Sequence, residues 1–172
     1  ALSTYDVIGT RVGAVTMEAL VMRVRGWLGD GRPHYVCFAD VNSLIQGRDN
    51  PEMRAALDDL TRQGMKGLVL DMSMDPGGIL DVAVAVGSFF IPEGPIVHIQ
   101  NRGQKPQALN AIPGRAIDPK IKVVVLIDGG SASASEIVAG ALQDAGRSLV
   151  VGHRSFGKSK VQTICELEDS SA

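Results

Sequence analysis

From residue 51 onward, short aliphatic runs alternate with stretches of helical period, and that alternation restricts the fold more than anything else in the chain. Residues 67–72 (GLVLDM), 96–100, 122–127 and 148–152 read as buried or half-buried strands rich in Val, Ile and Leu. Between them, residues 51–63, 80–90 and 133–145 carry apolar side chains at helical spacing. The first of these helices has Pro51 in its opening turn and Gly64 just past its end, the usual asymmetry of start and stop residues. Upstream, residues 4–13 suggest a short strand and turn. Residues 15–28 suggest an amphipathic helix stopped by Gly29-Asp30-Gly31, and residues 34–39 (HYVCFA) a buried strand. Residues 101–120, rich in Gly, Pro and Asn, read as loop, and residues 160–167 as a last strand. This order predicts an α/β core of β-α-β units on a largely parallel sheet.

A chain of 172 residues corresponds to about one domain and buries enough surface to fold without a disulfide or metal. Its 45% apolar content, 21% charge and 20 glycines exclude a disordered or collagen-like chain. Seventeen basic against nineteen acidic residues leave a net charge of −2, which offers no broad basic face to nucleic acid or anionic lipid. Cys37 and Cys165 form no metal-spaced motif, and either a disulfide or two small buried thiols would suit them. His34, His98 and His153 are scattered and suggest no ligand set. There is no long apolar run and no signal-like start, so the chain as given reads as soluble.

The segment richest in chemistry runs from Val123 to Gln162. A VVVLID strand is followed by Gly129-Gly130, the run SASASE and an apolar helix. Ser133 on such a strand-to-helix turn would face the unpaired N–H groups and partial positive charge of a helix start, which suit a developing oxyanion. Small neighbours, Ala132 and Ala134, would let a substrate backbone come close. The same residues also spell a capping box, Ser133-x-x-Glu136, and that plain structural role remains open. A serine nucleophile needs a base, and no histidine stands in a comparable motif. Lys158, in Phe156-Gly157-Lys158, could serve if burial removed its proton, because desolvation disfavours an ammonium. Gln162 could hold the amine by a neutral hydrogen bond. An exposed loop lysine is the ordinary alternative. A third reading takes Gly152–Ser159 as a phosphate loop, since it fits G-x-x-x-x-G-K-[ST]. That motif needs a helix opening at the lysine, whereas KVQTICEL alternates like a strand.

Residues 54–168 resemble the catalytic core of the carboxyl-terminal processing proteases, also called tail-specific proteases. The runs that carry the likeness are AALDDLTRQGMKGLVLDM, DPGGILDVAVAVGSFFIPEGPIV, SASASEIVAGALQDAGRSLVVG and FGKSKVQ. The resemblance implies a serine–lysine peptidase on a crotonase-like (ClpP/crotonase type) core occupying about residues 60–168. It makes Ser133 the nucleophile, Lys158 its general base and Gln162 the residue that orients the lysine. The amides of Ala134 and Gly78 would form the oxyanion hole, and Asp144 would be a supporting residue. No metal or cofactor would be needed. Substrates would be proteins or peptides engaged by their C-terminal tails, nucleic acid would not be a partner, and the site of action would be extracytoplasmic. A non-catalytic binding or scaffold domain that keeps this core is the alternative in a different class.

Three features depart from that pattern. The family usually reads DLRNNPGG where this chain has Asp71-Met-Ser-Met-Asp75-Pro-Gly-Gly; relatives continue beyond the position of Ala172; and the usual PDZ domain is not visible. Strand edges left open would favour homo-oligomers. Residues 1–59 resemble instead the N-terminal part of bacterial N-acetylmannosaminyl-type glycosyltransferases, through IGTRVGAVTMEALVMRVRGWL, HYVCFADVNSLI and RDNPEMRAAL. That predicts a chimera with a seam near residues 54–57. The alternative is a divergent protease N-terminus in which HYVCFADV fills the first core strand. Glycosyl transfer itself is not expected, because the Pro-Asp-Gly segment of those enzymes is missing.

Overall fold

The structure, a computed structural model, describes residues 7–8, 36–37 and 51–161. The expected helix over 15–28, His34, Gln162, Cys165 and the expected strand over 162–167 lie outside the described residues. Among the described residues the elements follow in order: β1 (Val7–Ile8), β2 (Val36–Cys37), α1 (Pro51–Arg62), β3 (Gly67–Asp71), α2 (Leu80–Ser88), β4 (Pro95–Ile99), β5 (Gln107–Asn110), β6 (Lys122–Ile127), α3 (Ala134–Asp144) and β7 (Ser148–Gly152).

The central sheet has the order β3-β6-β7, and both pairings are parallel. Val69 stands beside Val124, and Val125 beside Val150. All five residues of β3 are buried, as a strand covered on both faces requires. β1 and β2 pair in parallel, and β2 runs alongside β3. The mixed α/β architecture and the parallel sheet follow the strand–helix alternation of the sequence.

α1 and α3 end where glycines stand. At the end of α1, Met65 N–H donates to Leu60 O at 2.9 Å and Gly64 N–H to Thr61 O at 3.0 Å, with Gly64 at φ 88°. α3 closes in the same way through Arg147 N–H to Leu142 O and Gly146 N–H to Gln143 O, with Gly146 at φ 62°. Both are Schellman turns, in which a left-handed residue satisfies the last carbonyls of the helix. One apolar core joins Leu57 and Leu60 of α1, Leu68 and Leu70 of β3, Val86 and Phe89 from α2 and its end, Val123 of β6 and Leu142 of α3. Arg147 fastens its rim: the guanidinium donates to Ile121 O at 2.8 Å and Phe90 O at 3.2 Å.

Two expectations are corrected. Residues 101–120 are not all loop, because Gln107–Asn110 form β5, antiparallel to β4. QALN escaped notice because three of its four residues are exposed, so it lacks the apolar alternation of a strand. Lys160 and Val161, expected to begin a strand, are irregular and exposed.

Candidate active site

The three parallel strands end on the same side, and each releases a loop from its carboxyl end. In open parallel sheets that is where ligands are usually bound. The loops are residues 72–79 after β3, residues 128–133 after β6 and residues 153–161 after β7. Hydrogen bonds lace them together. Asp128 Oδ1 accepts from Met74 N–H at 2.8 Å and from Gly130 N–H at 2.9 Å. The buried Ser131 hydroxyl donates to Met72 O at 2.6 Å and accepts from Asp128 N–H at 2.9 Å. Ala132 N–H donates to Asp75 O and Phe156 N–H to Ser131 O, each at 2.9 Å.

At the junction of the three loops stands Ser133. Its backbone is at φ 58° and ψ −115°, a region that a residue with a side chain adopts only at a cost. The turn delivers the serine to the N-terminus of α3, where the first N–H groups have no intrahelical acceptor. Gly77, at φ 83°, lies directly against this turn. A Cβ added to it would stand 2.6 Å from Ala134 N and 3.0 Å from Ser133 Cβ, and would also collide with Ala132 O. Only glycine permits that approach. The Gly77 N–H is itself spent on Asp75 Oδ1 at 2.9 Å. The Gly78 and Ala134 N–H groups, by contrast, make no hydrogen bond to any described residue. Gly77 thus holds the Pro-Gly-Gly turn, which also carries Gly78, against the turn of Ser133 and Ala134. Gly77 is the first glycine of the same Pro-Gly-Gly turn, and nothing in the sequence distinguishes its role from that of Gly78.

Glu136 connects Ser133 to the Lys158 segment. Its Oε2 accepts from Ser133 N–H and from Lys158 N–H, both at 2.8 Å. Its Oε1 accepts from Ser155 Oγ and from Gly157 N–H, both at 2.6 Å. Partial burial by itself would raise the pKa of this carboxyl. The hydrogen bonds from Ser155, Ser133, Gly157 and Lys158 outweigh that effect and hold it below its ordinary value of 4.5. The capping box expected of Ser133-x-x-Glu136 is thus present, and the same carboxylate also reaches a second segment.

The remaining expected residues are placed as follows. Lys158 has its backbone beside the Ser133 turn, but its side chain is exposed, not buried, and no hydrogen bond joins its Nζ to Ser133 Oγ. Asp144 is exposed at the last position of α3, about 15 Å along the helix from Ala134 at 1.5 Å per residue, and is not brought to the site. No helix opens at Lys158, since residues 154–161 are irregular; the helix a phosphate loop requires is missing, and that reading is set aside. Among the described residues, no group of three His, Cys, Asp or Glu side chains could hold a metal ion, and no helix is long and apolar enough to cross a membrane.

Residues 35–172 match the sequence model of peptidase family S41. The chain is 44% identical over 165 residues to the carboxy-terminal-processing protease of Bartonella bacilliformis, covering 92% of this chain and 35% of that protein. It is 40% identical over 148 residues to the carboxyl-terminal-processing protease of Synechocystis sp., covering 86% of this chain and 34% of the relative. Among solved structures it resembles the photosystem II D1 C-terminal processing protease, with a TM-score of 0.66 and 34% identity over 74% of this chain and 32% of that one. The chain thus spans about a third of the length of the curated relatives it matches. The glycosyltransferase resemblance of residues 1–59 is not borne out. The peptidase match already begins at residue 35, and the Bartonella protein aligns with nearly the whole chain. An amphipathic helix followed by a short apolar strand is common to many α/β proteins, so the pattern that suggested a second family was not specific.

Proposed function

The chain belongs to peptidase family S41, and on that premise we propose that it is the serine–lysine catalytic core of a carboxyl-terminal processing protease. The observation that carries the reading is the backbone of Ser133. A serine held at φ 58° on a strand-to-helix turn, at the start of a helix and against the Gly77 backbone, is costly to maintain and has a use as a nucleophile. In this reading residues 60–168 form a crotonase-like core within one α/β domain.

The chemistry is acyl transfer in two stages. Ser133 Oγ attacks the scissile carbonyl carbon while its proton passes to the neutral amine of Lys158, oriented by Gln162. The carbonyl oxygen takes up negative charge between the Gly78 and Ala134 N–H groups. As the tetrahedral intermediate collapses, the C–N bond breaks and Lys158 returns the proton to the departing amine. Water then attacks the ester carbonyl as Lys158 accepts a proton from it; the C–Oγ bond breaks, Lys158 returns that proton to Ser133 Oγ, and the new carboxyl terminus departs. In this scheme Lys158, whose side chain is exposed in the free chain, acts beneath a bound polypeptide that excludes water from the site. Asp144 has no part in the scheme. The substrates are proteins engaged near their C-termini, and the site of action is extracytoplasmic.

A fluorophosphonate probe followed by peptide mass mapping tests the assignment. Ser133 should carry the adduct in the parent chain, and Lys158→Ala should label at least ~100-fold more slowly. Labelling of another serine, or equal rates in both chains, would refute it.

A further inference from the structure

The densest polar junction beside the site belongs to a residue the scheme above does not use. Glu136 receives four hydrogen bonds, two on each carboxylate oxygen, which is about the full accepting capacity of the group. A helix cap would need only the bond from Ser133 N–H. The other three come from a segment about twenty residues downstream: the Ser155 hydroxyl and the Gly157 and Lys158 amides.

That segment has little else to hold it. Residues 154–161 have no regular structure, and Phe156, Gly157 and Lys158 are exposed, so burial does not fix them. The backbone bonds His153 N–H to Ile127 O and Phe156 N–H to Ser131 O secure its beginning. Beyond Phe156, among the described residues, the amides are tied to Glu136 alone. The carboxylate itself is mounted in the first turn of α3, a rigid element, and the same oxygen that binds Lys158 N–H binds Ser133 N–H. The two amides that frame the proposed chemistry are therefore referred to one atom and lie within about 6 Å of each other. Glu136 grips Lys158 by the backbone amide and forms no ion pair with its ammonium. An ion pair would keep the proton on the base, whereas an amide contact places the residue without doing so.

We infer that Glu136 is a positioning residue, whose carboxylate sets the Lys158 segment against the Ser133 turn through four converging hydrogen bonds; the inference rests on the serine–lysine reading and deepens it. Glutamine at this position keeps the shape but turns one of the two accepting ends into a donor, so it must lose part of the junction.

The test combines residue-resolved amide exchange with the rate of fluorophosphonate labelling at Ser133, in the full chain and in Glu136→Gln. Exchange at Gly157 and Lys158 should accelerate at least ~10-fold while Val138 and Leu142 in α3 stay within about twofold. Labelling of Ser133 should slow by ~100-fold, the scale expected when a catalytic group is displaced by about 1 Å. Glu136→Asp, which keeps the charge on a shorter stem, should recover part of the rate. Unchanged exchange at Gly157 and Lys158 would overturn the inference, as would faster exchange spread evenly along α3, which would mean a helix cap only. A looser segment with undiminished Ser133 reactivity would overturn it as well. A parent chain whose Ser133 does not react at all would sink the serine–lysine reading, and the positioning role with it.

Discussion

A serine with positive φ costs roughly 1–3 kcal/mol, and it persists only where neighbours over-determine it. Around Ser133 those neighbours are Gly77, pressed against its turn, and the Glu136 carboxylate on its amide. Gly77→Ala should therefore destabilise the fold by about 2–4 kcal/mol, combining left-handed strain with overpacking. Gly103→Ala, at φ 75° with nothing within 4 Å of the added Cβ, should cost only about 1 kcal/mol. Urea midpoints of the two variants measure the difference; equal losses would mean that contact with Ser133 is unimportant. Among the described residues, Met74 is the other residue with a side chain at positive φ, 57°, and it is largely exposed. The family resemblance puts asparagine there, a residue that tolerates the left-handed region. Met74→Asn should raise stability by about 0.5–1 kcal/mol in the same assay, and a loss would show that the Met74 contact with Gly130 outweighs the strain.

At the scale of elements, the site depends on how three loops are tied, and one of those ties titrates. Glu136 has a depressed pKa in the folded chain, so its contribution is fully present above 4.5 and is lost as pH falls below that value. The unfolding midpoint of the parent should drop between about pH 6 and about pH 3 by more than that of Glu136→Gln, which has no carboxyl to protonate there. Parallel curves would mean that the junction contributes nothing to stability. Elements defined by their own residues were legible in the sequence. GLVLD is a strand buried along its whole length and KVVVLI one buried at its three valines, as their composition suggests, and Gly64 and Gly146 mark the helix ends they close. What depended on contacts distant in the chain was not legible. Ser133-x-x-Glu136 spells a cap, and nothing in that spacing reveals that the carboxylate also binds Ser155, Gly157 and Lys158. The Pro-Gly-Gly turn suggested Gly78 as a donor, but only packing distinguishes Gly77 as the residue that must lack a side chain. The exposure of Lys158 was equally unreadable, because a glycine before a lysine permits the chain to turn either way.

For the whole molecule, the parallel sheet β3-β6-β7 is what makes the site possible. Its strands deliver three loops to one edge, and the loops bring together residues from across the sequence. The order of strands and helices predicted this architecture, and the match of residues 35–172 to peptidase family S41 gives it a chemical context. On the proposed reading, Ser133 and Lys158 together perform peptide cleavage on this scaffold. The most direct test is to incubate an unfolded protein bearing a free apolar C-terminus with this chain and with Ser133→Ala. The parent should cleave, and the variant should lose at least ~1,000-fold of the rate while retaining its cooperative unfolding transition. Cleavage that survives the loss of the Ser133 hydroxyl, or a folded parent that leaves the substrate intact, would contradict that reading.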